Sequence, residues 1–211
     1  MAHLGKMLVT AGPTYEPIDP VRYLANRSTG KTGAAIAEAA ADAGWAVTLL
    51  LGPTPINPPP GVKTVRFETS NELEQLLDRY FSICDVLVMA AAVADYRPAA
   101  ISFEKLTRET RSMMLELEPV PDLVAACGER KRSDQLIVGF ALEQDGNLVE
   151  RAKDKLQRKH LSAIVANPLP TMGASDIDAT LLTADGESHV PGKMEKSRFA
   201  AWLIDWIEDE M

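Results

Sequence analysis

Residues 32–51 run Thr32-Gly-Ala-Ala-Ile-Ala-Glu-Ala-Ala-Ala-Asp-Ala-Gly44-Trp-Ala-Val47-Thr-Leu-Leu-Leu51. The first part is rich in alanine and lacks a run of β-branched residues, which predicts a helix that ends at Gly44. The second part is a short apolar run, which is typical of a buried strand. A helix followed at once by a buried strand is the repeating unit of a parallel sheet, so this stretch indicates the fold class.

Apolar runs of similar length recur along the chain and predict further strands. These strands are predicted at residues 7–11, 64–67, 85–92, 136–142 and 161–166. Helices are predicted at residues 71–82 and 147–160, the first with Asn71 as its N-cap and Glu74 as capping-box partner. The alternation predicts one α/β domain over residues 1–211, with a Rossmann-like, doubly wound, mostly parallel sheet and helices on both faces.

The last part of the chain departs from this alternation. Residues 179–190 contain two short β segments around Asp185-Gly186, a pair that favours a hairpin turn. Residues 193–208 predict a closing amphipathic helix with aromatic residues on one face. Residues 113–117 are placed as a strand in a flap, so we expect a small β-hairpin or flap added to the sheet.

The composition excludes some classes of protein. A net charge of −8 argues against nucleic acid as a partner, because phosphate contacts need a basic surface. Cys84 and Cys127 are far apart and match neither a metal site nor a disulfide framework, which fits a reducing compartment. Residues 1–7 have no long apolar stretch and no apolar run approaches the roughly 20 residues that span a membrane, so we expect a cytoplasmic protein without a signal peptide.

The first motif follows the first strand and covers residues 10–22 and 26–33. Asn26, Ser28 and Thr29 stand just before the predicted helix. A helix N-terminus presents free N–H groups that suit a phosphate or a developing oxyanion. The same residues would also suit a plain N-cap and turn, and the sequence leaves both interpretations open.

Two better-known phosphate motifs do not fit this loop. A dinucleotide fingerprint needs Gly-x-Gly-x-x-Gly, but Gly12 is followed by Pro13 and Thr14, and Leu51-Gly52 ends the second strand where an acidic residue is needed. A P-loop needs a glycine where Ala25 stands. The spacing therefore disfavours a nicotinamide-dependent reductase, and the Gly-Lys-Thr of residues 30–32 only partly resembles a P-loop.

The second motif is Met89-Ala-Ala-Ala-Val-Ala-Asp-Tyr-Arg-Pro98. Small residues at the end of a buried strand allow a ligand to lie close to the backbone. Asp95 could accept hydrogen bonds from ribose hydroxyls, help to hold a metal ion, or simply serve a turn. Lys105 follows in a long connection of the kind that often forms a lid, where it is a candidate for neutralising a phosphate or is only a solvated lysine.

The third motif is basic. Arg151, Lys155 and Lys159 are spaced by four residues and so share one helix face, which either faces a ligand or is solvated. Phe140, at the end of a predicted strand, could stack on a base. The three histidines have no partner that suggests a nucleophilic triad.

Together these motifs resemble, in the same order, those of bacterial phosphopantothenate–cysteine ligases. The resemblance rests on Thr10-Ala-Gly-x-Thr-x-Glu-Pro-Ile-Asp-Pro-Val-Arg22, Asn26-x-Ser-x-Gly-Lys-x-Gly33, Ala90-Ala-Ala-Val-Ala-Asp-Tyr96 and the lysines of the third motif. It extends over essentially the whole chain. This ligase is often the C-terminal half of a bifunctional flavoprotein, and the resemblance implies a stand-alone form of that half, one ligase domain over residues 1–211 without flavin.

The resemblance implies a role for each matching residue. Cytidine triphosphate (CTP) would lie against the strand end at Met89, Ala90 and Ala91, with its ribose near Asp95. The base-binding segment matches Pro121, Asp122, Leu123 and Val124. Phe140, Lys155 and Lys159 match the remaining nucleotide contacts. Asn26 matches the asparagine that holds the acyl-nucleotide intermediate, and Lys105 matches the first lysine of a mobile flap.

The implied reaction has two steps. The carboxylate of 4′-phosphopantothenate attacks the α-phosphorus of CTP and pyrophosphate leaves with Mg²⁺; the amino group of cysteine then attacks the acyl cytidylate. Both steps need positioning and charge neutralisation rather than a protein nucleophile. We expect Lys105 with Mg²⁺ to offset charge in the first step and Asn26 to orient the acyl carbonyl. Family enzymes are dimers, which implies a homodimer.

The sequence departs from the family pattern near the flap. Thr107 and Arg108 replace flap lysines, Val120 replaces an asparagine, and Pro13 replaces a glycine. A non-catalytic nucleotide-binding module of the same fold is the alternative that the altered flap favours, and a nicotinamide-dependent reductase is a weaker one. The fold itself does not distinguish these functions.

Overall fold

A computed structural model describes residues 4–108, 112–143, 148–169 and 173–211, with only the backbone described at Glu143. The strands are β1 Lys6–Ala11, β2 Tyr15–Pro17, β3 Tyr23–Ala25, β4 Ala46–Leu51, β5 Lys63–Arg66, β6 Val86–Met89, β7 Tyr96–Pro98, β8 Leu117–Pro119, β9 Leu136–Glu143, β10 Ala163–Pro168, β11 Asp176–Ile177, β12 Thr180–Thr183, β13 Ser188–His189 and β14 Met194–Glu195. The helices are α1 Lys31–Asp42, α2 Ser70–Tyr80, α3 Leu123–Glu129, α4 Leu148–Arg158 and α5 Lys196–Asp209.

The central sheet has the strand order β13-β12-β10-β9-β6-β1-β4-β5. Strand β1 pairs in parallel with β4 and with β6, and parallel pairing continues to β5 on one side and through β9 to β10 on the other. The chain therefore moves outward from β1 in both directions, and the strand order reverses between β1 and β6. This confirms the predicted Rossmann-like sheet, in which ligands bind beyond the carboxyl ends of the strands at such a reversal.

A hairpin extends one edge of the sheet. Strand β12 is antiparallel to β10, and β13 is antiparallel to β12. The turn between β12 and β13 contains Gly186 with a φ of +97°, a conformation that glycine adopts without strain. The hairpin predicted at residues 179–190 is therefore confirmed.

Helices cover both faces of the sheet. Ile36 of α1 and Phe199 of α5 are buried on one face, and Leu73 of α2 and Leu156 of α4 are buried on the other. Because helices lie on both sides, the central strands bury both of their faces, which explains their continuous apolar sequences. The helix predicted at residues 147–160 is α4, although Asn147 lies outside the described residues.

The predicted cap of α2 is wrong. Thr69, not Asn71, is the N-cap, and its Oγ1 accepts a hydrogen bond from Glu72 N at 3.2 Å. Glu72, not Glu74, bonds back to the backbone, since its carboxylate accepts from Glu68 N at 2.6 Å. The helix begins earlier because the buried carboxylate of Glu16 accepts hydrogen bonds from both the backbone N and the Oγ of Ser70, which holds Ser70 at the helix start.

The strand predicted at residues 113–117 is also misplaced. Met113 and Met114 are exposed, and the strand that forms is β8, which pairs with β7 as a separate antiparallel hairpin. A flap or an added β element was expected at this point, and the bounds of its strand depend on which residues pair with β7. The apolar run alone does not contain that information.

Candidate functional site

A cavity of about 800 Å³ opens beyond the carboxyl ends of β1, β6 and β9, next to the N-terminus of α1. It lies at the point where the strand order reverses, where a ligand site is expected. The residues predicted from the sequence that line it are Asn26, Met89, Ala90, Ala91, Asp95, Pro121, Asp122, Leu123, Val124, Phe140, Lys155 and Lys159. Lys105 does not line it. The structure thus gathers segments from across the chain at one cavity.

Two buried threonines of the first motif hold the backbone of the second motif in place. The Thr10 hydroxyl accepts a hydrogen bond from Ala91 N at 3.0 Å, and the Thr14 hydroxyl accepts one from Ala94 N at 3.0 Å. Both threonines are fully buried. Because the hydroxyls satisfy amides that leave the strand ladder, the loop after β6 has a defined shape where it meets the cavity.

Asn26 joins the same two loops on the cavity side. Its Nδ2 donates a hydrogen bond to the Val93 carbonyl at 2.8 Å. This hydrogen bond therefore orients the Asn26 side chain. Oδ1, the other polar atom of the same amide group, has a fixed position as a result. This arrangement allows Asn26 to present a polar group at a set position in the cavity.

The N-terminus of α1 is open toward the cavity. Its N-cap is Gly30, with a φ of +72°, and no side chain caps the helix or places a negative charge in its first turn. Thr29 instead accepts a hydrogen bond at its carbonyl from Thr54 Oγ1, and Ser28 Oγ lies 3.4 Å from Gly30 N. The plain side-chain cap is thus wrong, and the free amides of α1 suit an anion.

Glycine brings α1 close to β1. A Cβ on Gly33 would lie 2.6 Å from Ala11 Cβ and 2.8 Å from the Thr10 carbonyl oxygen, closer than the packing allows. The first turn of the helix can approach the strand end only because residue 33 lacks a side chain. The second glycine of the Gly30-Lys-Thr-Gly33 segment therefore positions the helix N-terminus at the cavity.

Two residues that the motifs did not single out also line the cavity. Lys196 at the start of α5 donates a hydrogen bond to the Ala174 carbonyl at 2.5 Å, and burial together with the nearby charge of Lys31 lowers its pKa. Asn167 on β10 is buried, and its Oδ1 has no hydrogen-bond partner among the described residues. A polar residue near the carboxyl end of a central strand was the available signal for Asn167, whereas nothing local marks Lys196.

The basic stripe of the third motif is divided by the fold. Lys155 and Lys159 line the cavity, and Arg151 does not. The Lys159 ammonium lies 3.0 Å from a carboxylate oxygen of Asp122, so the stripe meets the predicted base-binding segment there. Phe140 is partly buried beside them, with part of its surface open to the cavity.

Lys105 lies outside the cavity on an exposed segment. Thr107 and Arg108, which follow it, are also exposed. The neighbouring Leu106 is attached to the loop of the first motif, because its backbone N donates to Asp19 Oδ2 at 3.1 Å. The structure therefore does not bring Lys105 together with the other predicted site residues.

The described residues contain no group of three or more His, Cys, Asp or Glu side chains that could hold a metal ion. Asp95 is the carboxylate that faces the cavity without an ion pair recorded among the described residues, whereas Asp122 is paired with Lys159. Magnesium commonly binds one or two carboxylates together with substrate phosphates, so Asp95 fits such a partial site.

None of the described helices has the length and apolarity needed to span a bilayer.

Comparisons with known proteins agree on one family. The sequence profile described as "DNA/pantothenate metabolism flavoprotein C-terminal domain" matches residues 3–211. The Coenzyme A biosynthesis bifunctional protein CoaBC of Escherichia coli strain K12 is 40% identical over 211 residues, covering 97% of this chain and 51% of that protein. A Cysteine/Cysteine sulfinic acid decarboxylase from an unknown prokaryotic organism is 41% identical over 170 residues, covering 80% of this chain and 47% of that protein.

A solved structure extends the similarity to the fold. The crystal structure of the C-terminal domain of the Coenzyme A biosynthesis bifunctional protein CoaBC superposes with a TM-score of 0.85 at 36% identity. The match covers 99% of this chain and 96% of that one. The chain spans about half the length of the curated relatives it matches.

Proposed function

We propose, because the chain belongs to the DNA/pantothenate metabolism flavoprotein C-terminal domain family, that it is a ligase that joins 4′-phosphopantothenate to cysteine in coenzyme A biosynthesis. The proposal takes residues 1–211 as one ligase domain. The observation that carries it is the cavity, where the family motifs meet the free N-terminus of α1. An acyl-nucleotide reaction needs that combination of backbone donors and cations.

The proposed nucleotide, CTP, would lie along the cavity. Its base would contact Phe140 and the segment of residues 121–124, and its ribose would lie near Asp95. The strand end at Met89–Ala91 would run beside the sugar and the α-phosphate, since small side chains allow close approach. The triphosphate would then point to α1, where the amides of the first turn and two lysines, Lys31 and Lys196, could receive it.

Two steps would follow from this placement. The 4′-phosphopantothenate carboxylate oxygen forms a bond to the α-phosphorus of CTP, and the bond to the bridging oxygen breaks as pyrophosphate leaves. The cysteine amine then bonds to the acyl carbon, loses a proton, and cytidine monophosphate leaves. Asn26, held by the Val93 carbonyl, is positioned to orient the acyl group, and Mg²⁺ on the phosphates would neutralise charge on the leaving pyrophosphate.

The homodimer is a further part of the proposal, supported by exposed apolar side chains near the β2–β3 and β7–β8 hairpins. Among the described residues, the large apolar residues of these segments with exposed side chains are Val21, Tyr23, Tyr96, Ile101, Phe103, Met113, Met114 and Leu117. Phe103 is 94% and Met114 97% exposed, which is unusual for large apolar residues that have no partner. A Met114→Glu variant should lower the dimer fraction measured by light scattering.

A cytoplasmic location stays a prediction.

A coupled assay tests the activity. The protein is incubated with 4′-phosphopantothenate, cysteine, Mg²⁺ and each of the four nucleoside triphosphates, while pyrophosphate and the mass of the acyl-cysteine product are followed. Product with CTP alone supports both the ligase and its base preference. No pyrophosphate with any nucleotide contradicts the ligase and favours the non-catalytic binding module, and binding of a nicotinamide cofactor would favour the reductase.

The relative named as a cysteine or cysteine sulfinic acid decarboxylase suggests a second outcome to measure. That protein is about twice as long as the segment it shares with this chain, so its named activity can depend on its other half. Release of CO₂ from cysteine without any nucleotide would favour decarboxylation. A strict requirement for a nucleoside triphosphate would contradict it.

A further inference from the structure

The turn formed by residues 18–22 holds the backbone of Leu106 by two hydrogen bonds. Asp19 Oδ2 accepts a hydrogen bond from Leu106 N at 3.1 Å, and Arg22 Nη2 donates one to the Leu106 carbonyl at 2.7 Å. Asp19 and Arg22 are themselves joined by an ion pair of 3.3 Å. The carboxylate and the guanidinium therefore satisfy both backbone groups of one residue, and that residue follows Lys105 directly.

The turn of residues 18–22 is itself held in shape by internal hydrogen bonds. Asp19 Oδ1 accepts from Val21 N and from Arg22 N, both at 2.8 Å, and the backbone N of Ile18 and Asp19 both donate to the Arg22 carbonyl. The Asp19 side chain has no exposed surface. A buried carboxylate with this many donors has one stable orientation, so the position of Oδ2 is set by the turn.

A second attachment lies nearby. Ser102 N donates to the Ile18 carbonyl at 3.0 Å, and Ser102 Oγ donates to the Glu104 carbonyl at 2.7 Å. The flap segment, defined as residues 102–108, is thus held on the same turn at residues 102 and 106, on both sides of Lys105. Its exposed side chains make it a surface segment, yet its backbone has fixed points.

We propose that Asp19 is a positioning residue for Lys105, which it holds through a clamp formed with Arg22 on the backbone of Leu106. This inference rests on the proposed ligase function, in which Lys105 takes part in pyrophosphate release. The clamp fixes the backbone that carries Lys105 outside the cavity, so only the lysine side chain has to move to reach the leaving pyrophosphate. Without the clamp, the backbone that carries Lys105 occupies many positions. The entropy cost of ordering Lys105 then adds to the barrier of the reaction step.

The Asp19→Asn variant removes the hydrogen bond to Leu106 and keeps the hydrogen bonds that hold the turn. An asparagine Oδ1 can still accept from Val21 N and Arg22 N, whereas its Nδ2 cannot accept from Leu106 N. The variant should fold because the turn keeps its hydrogen bonds. Arg22→Met removes the other half of the clamp and serves as a second, independent variant.

Limited trypsin digestion measures how often the flap segment detaches from the turn, and it does not depend on enzyme activity. Lys105 and Arg108 are exposed tryptic sites within the flap segment. Loss of a hydrogen bond to a charged group should raise the population of the detached segment, and with it the cleavage rate after Lys105, on the order of tenfold. Glu118→Gln is the matched control, because it weakens the ion pair to Arg97 in the adjoining hairpin without touching Leu106.

Kinetics of pyrophosphate release complete the test. We expect Asp19→Asn to lower kcat on the order of tenfold and to change the CTP KM by less than about twofold, while Glu118→Gln changes neither. Equal cleavage rates in Asp19→Asn and wild type would overturn the clamp. Faster cleavage with an unchanged kcat would overturn the positioning of Lys105. If the wild type released no pyrophosphate, the ligase proposal and the positioning role of Asp19 would fail, and digestion would still decide whether the clamp exists.

Discussion

The Lys159 ammonium, one residue after the end of α4, lies 3.0 Å from Asp122 Oδ2 at the start of α3, so one ion pair joins the ends of two helices at the wall of the cavity. Asp122 uses its other oxygen to cap α3, accepting from Ala125 N at 3.2 Å. The Lys159 side chain is 17% exposed, so water screens this pair less than a surface ion pair. The pair therefore holds Lys159 in one orientation toward the cavity.

Lys159→Met tests whether this ammonium contacts the nucleotide. Loss of one charged hydrogen bond should raise the CTP KM on the order of tenfold with little change in kcat. Steady-state kinetics at varied CTP measures the effect. Arg158→Met is the control, since Arg158 is exposed and does not line the cavity. An equal change in both variants would contradict a direct role for Lys159.

Gly128→Ala tests the contact between α3 and the end of α4. A Cβ at residue 128 would lie 1.9 Å from the Lys159 carbonyl oxygen, so the helices would have to move apart. Overpacking of this kind typically costs about 1–3 kcal/mol. Chemical denaturation measures the loss, and Ala126→Ser on the exposed side of α3 should change the unfolding free energy by less than about 0.5 kcal/mol. A stable Gly128→Ala protein would mean that the two helices separate freely.

Thr10→Val tests the hydrogen bond that shapes the loop after β6. Valine preserves the side-chain shape but leaves Ala91 N without its acceptor, which should cost about 1–3 kcal/mol of stability. Because Ala91 lines the cavity, CTP binding should weaken as well. Thr48→Val on β4, away from the strand ends, is the control. Unchanged stability and binding would show that the hydroxyl is dispensable.

Asp19 predicts a dependence of stability on pH. Burial alone would raise the pKa of its carboxyl, but hydrogen bonds from Val21, Leu106 and Arg22, with the Arg22 charge, hold that pKa below its usual value. The folded state then binds fewer protons than the unfolded state. The stabilisation is therefore complete above the unfolded pKa of about 3.9 and disappears as the pH falls through the lower folded value.

Denaturation curves at several pH values measure this effect. The difference in unfolding free energy between wild type and Asp19→Asn should be largest above about pH 5 and should shrink as the pH falls below about 4, because asparagine does not titrate. A difference that stayed constant down to the acid range would contradict the low pKa of Asp19.

Lys196→Met tests the proposed end of the triphosphate site. Removal of this cation should weaken inhibition by pyrophosphate and raise the CTP KM, each on the order of tenfold. Lys193→Met is the matched control, because Lys193 is a mostly exposed lysine three positions earlier that lies 4.0 Å from Asp176. Equal pyrophosphate inhibition in Lys196→Met and wild type would remove Lys196 from the site.

The sequence was sufficient to predict the architecture, and every residue predicted for the site except Lys105 lines the cavity. Strands such as β1 and β6 bury both faces, so their apolar runs are continuous and easily recognised, and their carboxyl ends must meet at one edge of the sheet. Met89 and Asp95 follow from that rule and from the family resemblance. The roles of the site residues stay predictions.

Only the tertiary structure decided features that depend on which distant segments pack together. It places Lys105 outside the cavity and Lys196 and Asn167 inside it, and it starts α2 at Ser70 because Glu16 lies beside that residue. Asn167 had one local signal, as a polar residue near the carboxyl end of a central strand, whereas nothing in the local pattern marks the other outcomes. A periodic pattern determines which elements form, because backbone geometry is local, whereas the neighbours of a side chain depend on how the whole chain folds.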